Sequence, residues 1–257
     1  MSTTALCISA MLLIIPIAIS IKEKLHIAKE LIVASIRAVI QLVILGFILH
    51  FIFDLNSPWI LILFVLVIIV NASWNTIGRA SKIMHNVFWI SFISIFIGTA
   101  LPLIVIVAAG AIKFTGNELI PIAGMLANNG LIAINLAYQN LDRSFVREYG
   151  TIECKLSLGA SPKLASKSAV QESIKLAIVP TIDSVKTYGL VSIPGMMSGL
   201  IISGVDPLQA IKFQLLVVFI HTTATIMSAL IATYLSYKQF FNNRDQLIGS
   251  MLDENEE

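Results

Sequence analysis

The sequence predicts an all-α fold: a polytopic bundle of about seven transmembrane helices, with its N-terminus outside and its C-terminus in the cytoplasm. Three observations predict it. Of the 257 residues, 57% are hydrophobic and only 12% charged, where a typical soluble domain carries about 25% charge. Apolar runs of about 20 residues recur along the whole chain, the length that a hydrocarbon core demands. Lysine and arginine concentrate in alternate loops, which sets the orientation of the spans.

Taken in order, the spans are expected at roughly 3–21, 31–53, 58–76, 87–110, 119–140, 174–203 and 213–237. The loops after the first, third and fifth, with the C-terminal tail, carry Lys22, Lys24, Lys29, Arg79, Lys82, Arg143, Arg147, Lys155, Lys163, Lys167, Lys238 and Arg244. The other loops carry Lys113 and Lys212. Residues 141–173 are thereby placed in the cytoplasm. On this reading 1–240 is a single membrane domain and 241–257 a short acidic cytoplasmic tail. Met1 to Ser20 holds no Lys or Arg, so the first span is not expected to be a cleaved signal peptide, which puts positive charge before its apolar run. Cys7 falls in a span and Cys154 in the cytoplasmic segment. No disulfide is expected, and no CxxC or Cys/His cluster argues for a structural metal.

The sixth span is too long for one regular rod. Ile174 to Ser203 would run roughly 45 Å as a helix, against a hydrocarbon core of about 30 Å. The stretch SIPGMMSG (Ser192 to Gly199) offers a break, since Pro194 lacks a backbone donor and Gly195 relaxes φ. Two readings stand. One is a kink that serves packing. The other is an opened backbone lining a cavity, the setting in which irregular backbone is tolerated at membrane depth.

Several residues are costly to keep in a membrane. Arg37 and Gln41 share a face of the second span. Arg37 either snorkels to the near interface or turns inward. Asn128, Asn129 and Asn135 in the fifth span, with Gly124 and Gly130, read equally as helix–helix glue or as substrate contacts. Asn71 and Asn75 read the same way. Asp183 and Lys186 lie one helical turn apart, so they either neutralise each other or mark a polar point on a pathway where Asp183 meets a cation. Met196 and Met197 offer thioethers, which suit soft metals, though methionine also fills cores. Asp183, Met196 and Met197 are therefore the candidate metal contacts. His221 is a lone histidine and reads as a packed residue.

Absences narrow the function. The sequence has no GxxxxGK[ST] phosphate loop, no HExxH and no GxSxG. No catalytic constellation can be assembled, so the chain is not expected to be an enzyme. Energy for any active transport must come from elsewhere.

Within the cytoplasmic segment, ECKLSLGASPK (Glu153 to Lys163) stands out. Ile152, Leu156, Ala160 and Leu164 recur every four residues, giving one apolar stripe. Gly159, Ser161 and Pro162 form a turn, with Pro162 placed to start the next helix. By shape this is either a docking element for another protein or an interfacial helix on lipid. Glu153 to Gly159 resembles the E-x5-G start of the EAA loop of ABC-transporter permeases. Cys154 and Lys155 stand where that pattern has two alanines, and the proline falls further along.

A resemblance over nearly the whole chain is more specific. SIRAVIQLVILGFIL (Ser35 to Leu49), LIPIAGMLANNGL (Leu119 to Leu131), LSLGASPKLA (Leu156 to Ala165) and VPTIDSVKTYGLVSIPGMMSGLIISGVDPLQAIKFQ (Val179 to Gln214) are similar to the FetB-type ABC permease family. That family includes a bacterial permease linked to iron export and plant permeases linked to aluminium tolerance. The resemblance implies the membrane subunit of an exporter. Its partners would be a cytoplasmic P-loop ATPase carrying ATP and Mg2+, a second copy of the chain and the lipid bilayer, with no nucleic acid and no cofactor of its own. It implies a bacterial cytoplasmic (inner) membrane location. Glu153, Leu156, Leu158, Gly159, Ala160 and Pro162 would couple to the ATPase. Arg37, Gln41, Asn128, Asn129, Asp183, Lys186, Met196 and Met197 would line the substrate path. Iron export leads; a polar organic solute, or a carrier working without an ATPase, are the alternatives.

Overall fold

A computed structural model of the chain describes residues 10–55 and 57–248. Cys7, the start of the first expected span and the acidic residues Asp253 to Glu257 lie outside them. The described residues are helical, without a strand beyond two isolated bridges. The chain divides into two compact units, one ending at residue 56 and the other beginning at residue 57.

In the first unit α1 (Ile14–Lys22) and α2 (Ala28–Leu55) form a hairpin. The connecting residues Lys24 and His26 take positive φ of 52° and 59°, a tight reversal that L-residues rarely adopt. At 28 residues α2 is about 42 Å long. Its apolar side chains, among them Val33, Ile36, Ile40 and Val43, stay exposed along its length.

The second unit holds α3 (Pro58–Thr76), α4 (Val87–Ala108), α5 (Gly116–Arg147), α6 (Tyr149–Ser157), α7 (Pro162–Ala165), α8 (Lys167–Thr187), α9 (Gly195–Ile202) and α10 (Pro207–Ser236). Helix α5 is the centre, touching α3, α4, α8 and α10. The reason is in its sequence. Ala123, Leu126, Ala127, Ala133, Ile134, Ala137, Tyr138 and Leu141 recur at helical spacing and are all fully buried. A stripe so rich in small residues lets neighbouring backbones approach closely, the usual device where lipid removes the hydrophobic drive between helices.

Helices come close at Ser228 of α10. It fits between Gly98 of α4 and Gly130 of α5, and its hydroxyl donates to the Ser94 carbonyl at 3.3 Å. A Cβ at Gly98 would overlap Ser228 Oγ and come within 2.9 Å of the Ala224 carbonyl oxygen. A Cβ at Gly130 would meet Ser228 Oγ at 2.8 Å. Nearer the C-terminal end of α5, hydroxyls tie three helices together. Tyr138 lies 2.9 Å from Ser91 Oγ, which lies 2.7 Å from Thr76 Oγ1, itself 2.7 Å from the Ser73 carbonyl. One proton per hydroxyl suffices when each donates in turn toward Ser73. Beyond α10 a short 3-10 turn (Tyr237–Phe240) brings Phe240 onto Phe145, with ring centroids 4.4 Å apart, and Phe241 edge-on at 5.9 Å. Residues 241–248 then fold back, paired through Phe241 and Leu247.

Among the described residues, five helices are long and apolar enough to cross a membrane: Ala28–His50, Pro58–Arg79, Val87–Ala108, Gly116–Arg147 and Pro207–Phe240. They correspond to the second, third, fourth, fifth and seventh expected spans. The sixth, 174–203, is interrupted, as its length and Pro194 suggest: it consists of the end of α8, an irregular stretch and the short α9. The helix stops at Thr187, well before Pro194, so the break begins upstream of Ser192. For the first, the described part yields only the nine-residue α1.

The packing at Ser228 makes a directional prediction. Gly130→Ala is expected to cost about 1–3 kcal/mol by overpacking, lowering the melting temperature of the detergent-solubilised chain. Ser228→Ala in the same chain should restore it, because only Oγ is crowded there. Gly98→Ala should not be rescued, because the Ala224 carbonyl still blocks the Cβ.

Candidate functional site: a glycine-capped turn and a broken helix

At the C-terminal end of α5 the chain makes a compact reversal. Helix α6 ends with Gly159 at φ +88°. Gly159 N–H donates to the Leu156 carbonyl at 2.9 Å and Ala160 N–H to the Lys155 carbonyl at 3.0 Å. These paired bonds satisfy the orphan carbonyls of the helix end and need a left-handed residue, which glycine supplies without steric cost. Ser161 then takes extended backbone, and Pro162 opens α7. The Lys155 ammonium reaches the Ala165 carbonyl at 3.4 Å, and Ser166 Oγ donates to the Pro162 carbonyl at 2.7 Å. The turn is fastened to the bundle by Ile152 and Ala165, both fully buried, with Leu156 and Ala160 against the same core.

The expected apolar stripe is therefore right for Ile152, Leu156 and Ala160 but wrong for Leu164, which is 62% exposed. The positive φ at Gly159 reverses the chain, so α7 restarts on a new face and Ala165 turns inward instead. Glu153 is exposed and Pro162 half-buried. Leu158 is 83% exposed at the tip of the turn, on a frame with little freedom. Its exposure follows from the turn geometry, and no periodicity signals it.

The second feature is the stretch after α8. Four residues carry the reversal: the Thr187 carbonyl accepts from Val191 N–H at 3.0 Å, and Gly189 N–H donates to the Ser192 carbonyl at 2.9 Å, with φ +83° at Gly189. Pro194 precedes α9 rather than kinking a continuous helix, and Gly195 is its first residue. Just before the break, Lys186 Nζ sits 3.1 Å from Asp183 Oδ1, both side chains more than half exposed. The expected pairing thus forms. Asp183 therefore already has one cationic partner, at Oδ1. Lys186 also complements the negative end of the α8 dipole.

Met196 and Met197 open α9, half-buried. Met196, with Leu200 and Phe213, lines a cavity of about 560 Å³ that also takes in Lys113, Asn117 and Glu118 at the start of α5. The Glu118 carboxylate accepts from Lys113 N–H at 2.7 Å. Asp183 and Met197 do not line this cavity, so the three candidate metal contacts are not gathered in it. Glu118 was missed by sequence reading, which sees only an acidic residue in the first turn of a helix. Among the described residues no group of three His, Cys, Asp or Glu side chains is placed to hold a metal ion. Asn128 is exposed on α5, whereas Asn129 donates to the Met125 carbonyl of its own helix at 2.7 Å. Arg37 and Gln41 are exposed on α2 in the first unit.

This architecture, helices long and apolar enough to span a bilayer packed through small residues, is that of an α-helical integral membrane protein. The family described as "Uncharacterised protein family (UPF0014)" matches residues 3–241, and the chain belongs to it. The chain is 44% identical to "Probable iron export permease protein FetB" of Escherichia coli (strain K12), over 96% of this chain and 95% of that one. It is 34% identical to "UPF0014 membrane protein STAR2" of Oryza sativa subsp. japonica, over 90% and 81%. It is 31% identical to "Protein ALUMINUM SENSITIVE 3" of Arabidopsis thaliana, over 91% and 85%. No solved structure matches the chain. The resemblance drawn from the sequence motifs is to this same family.

The pair before the break is separable into fold and function. Lys186→Met leaves Asp183 an unpaired carboxylate near membrane depth and is expected to lower the yield of folded chain in membranes severalfold. Asp183→Leu added to it should return the yield to near wild type, read by fluorescence-detected size exclusion.

Proposed function

We propose that the chain is the membrane permease subunit of an ABC exporter, driven by a separate cytoplasmic P-loop ATPase that docks on the turn between α6 and α8. The chain hydrolyses nothing itself; ATP and Mg2+ belong to the ATPase. Two copies assemble about a two-fold axis, since closed symmetry is the rule for such pairs, in the bacterial cytoplasmic membrane, with the Gly159 turn on the cytoplasmic side. The observation that carries this reading is the turn itself: an exposed Leu158 on a glycine-capped frame held in the core by Ile152, Leu156, Ala160 and Ala165. A push at Leu158 is transmitted to α5 and α8 because Ile152 and Ala165 leave the turn no independent play. ATP would favour one of two bundle arrangements by binding its ATPase differently in each.

On this reading the break after Thr187 is where the substrate path opens. Asp183, Lys186, Asn128, Asn129, Met196 and Met197 are assigned to it, and the Met196–Glu118 cavity is its outer mouth; Arg37 and Gln41 are exposed on α2 of the first unit. Iron is the first substrate to test, in line with the name of the Escherichia coli relative. A polar organic solute is the second reading, favoured by the lack of a three-ligand group of His, Cys, Asp or Glu among the described residues.

Two variants test the coupling role. Leu158→Asp is expected to reduce co-purification of the ATPase at least tenfold while the chain still inserts and folds. At Gly159 no atom lies within 4 Å of a Cβ position, so Gly159→Val acts through φ alone, at roughly 1–2 kcal/mol. ATP hydrolysis should then persist in the reconstituted pair while transport falls. Normal transport by Gly159→Val would refute the coupling role. Asp183→Ala should abolish stimulation of the ATPase by iron. Stimulation by an organic solute and not by metal would favour the second reading.

A further inference from the structure

We propose that the cleft between the start of α8 and the end of α10 binds the phosphate headgroup of an anionic phospholipid. The cleft is about 280 Å³ and brings together Lys163, Lys167, Ser161, Gln171, Tyr234 and Tyr237. Lys163 and Lys167 are four residues apart and both exposed, and no acidic residue lines the cleft. Of the carboxylates close in sequence, Glu148 is engaged by Ser168 Oγ and by Arg147 at 3.6 Å, and Glu172 lies outside the lining. Two lysines, a serine, a glutamine and two tyrosines therefore line one small volume with no acid among them, a lining that favours an anion over a cation.

The position decides which anion. Tyr234 and Tyr237 close the apolar length of α10 and are followed by Lys238, the order of residues that marks a membrane–water boundary. Their rings meet edge to face with centroids 6.5 Å apart, and Tyr234 remains 47% exposed. Leu164, exposed beside them, gives an apolar wall for the glycerol and first methylenes. Basic pockets between spanning helices at the headgroup level are suited to lipid phosphates. An acidic protein segment has no use for that apolar wall. The site rests on the spanning fold and the residues of the cleft, and not on the identity of the ATPase or the substrate.

The test uses the full chain in nanodiscs of phosphatidylcholine with rising phosphatidylglycerol, with retained lipid counted by native mass spectrometry after extraction. Wild type is expected to hold phosphatidylglycerol selectively. Lys163→Gln with Lys167→Gln should weaken retention by about thirtyfold, from roughly one Lys-sized electrostatic contribution each. Tyr234→Phe, which keeps the ring, should weaken it less. Lys238→Gln, outside the cleft, should leave it unchanged. The proposal is overturned if the double variant retains lipid as wild type does, or if Lys238→Gln loses as much. It is also overturned if soluble glycerol phosphate binds as tightly as the lipid, or if the double variant loses only the ATPase.

Discussion

The structure depends on the approach of α4, α5 and α10 around Ser228. In lipid the helices gain little from hiding apolar surface, so contact distance decides whether they hold together. Gly98 and Gly130 remove the two Cβ atoms that would keep α10 away, and Ser228 fills the space they leave. With α10 that close, the buried alanine stripe of α5 is enclosed. The helix becomes a strut of 32 residues, about 48 Å. Its length exceeds a hydrocarbon core of about 30 Å, so its end carries structure beyond the bilayer.

That overhang explains the rest of the unit. Phe145, on the extension, is stacked against Phe240 and met edge-on by Phe241 from the chain after α10. The same end anchors Ile152 and Ala165 of the turn. A turn fixed at both sides and bearing an exposed leucine is a lever rather than a loop. At the opposite end of α5 the packing is looser, with a cavity bounded by Met196 and Glu118 and an irregular backbone after Thr187. A unit fixed at one end and open at the other fits the proposed exporter, with force entering at the turn and the solute leaving at the cavity.

Much of this was legible in the sequence, for identifiable reasons. Spans with uninterrupted apolar runs, such as Pro58–Thr76 and Val87–Ala108, were found almost to the residue. The Asp183–Lys186 pair was legible because its spacing is local. The break in the sixth span was legible from its length and Pro194, but not where it begins, since average hydropathy over 174–203 hides a helix end at Thr187 that only the backbone reveals. Leu164 was misplaced because helical periodicity does not survive a left-handed glycine. Leu158 was named only through the family resemblance, since its exposure is set by the direction a turn takes; Glu118 was invisible as a site residue, being defined by α9 folding back over the start of α5.

The central claim is that Leu158 sits against an ATPase. It is most directly tested by site-specific cross-linking in cells, with Leu158→Cys carrying a photoreactive maleimide in a chain lacking Cys7 and Cys154. One dominant adduct is expected, with a P-loop ATPase. Leu190→Cys, on the α8–α9 break, should give no such adduct. Adducts with lipid alone at position 158, or an ATPase adduct from position 190 instead, would contradict it.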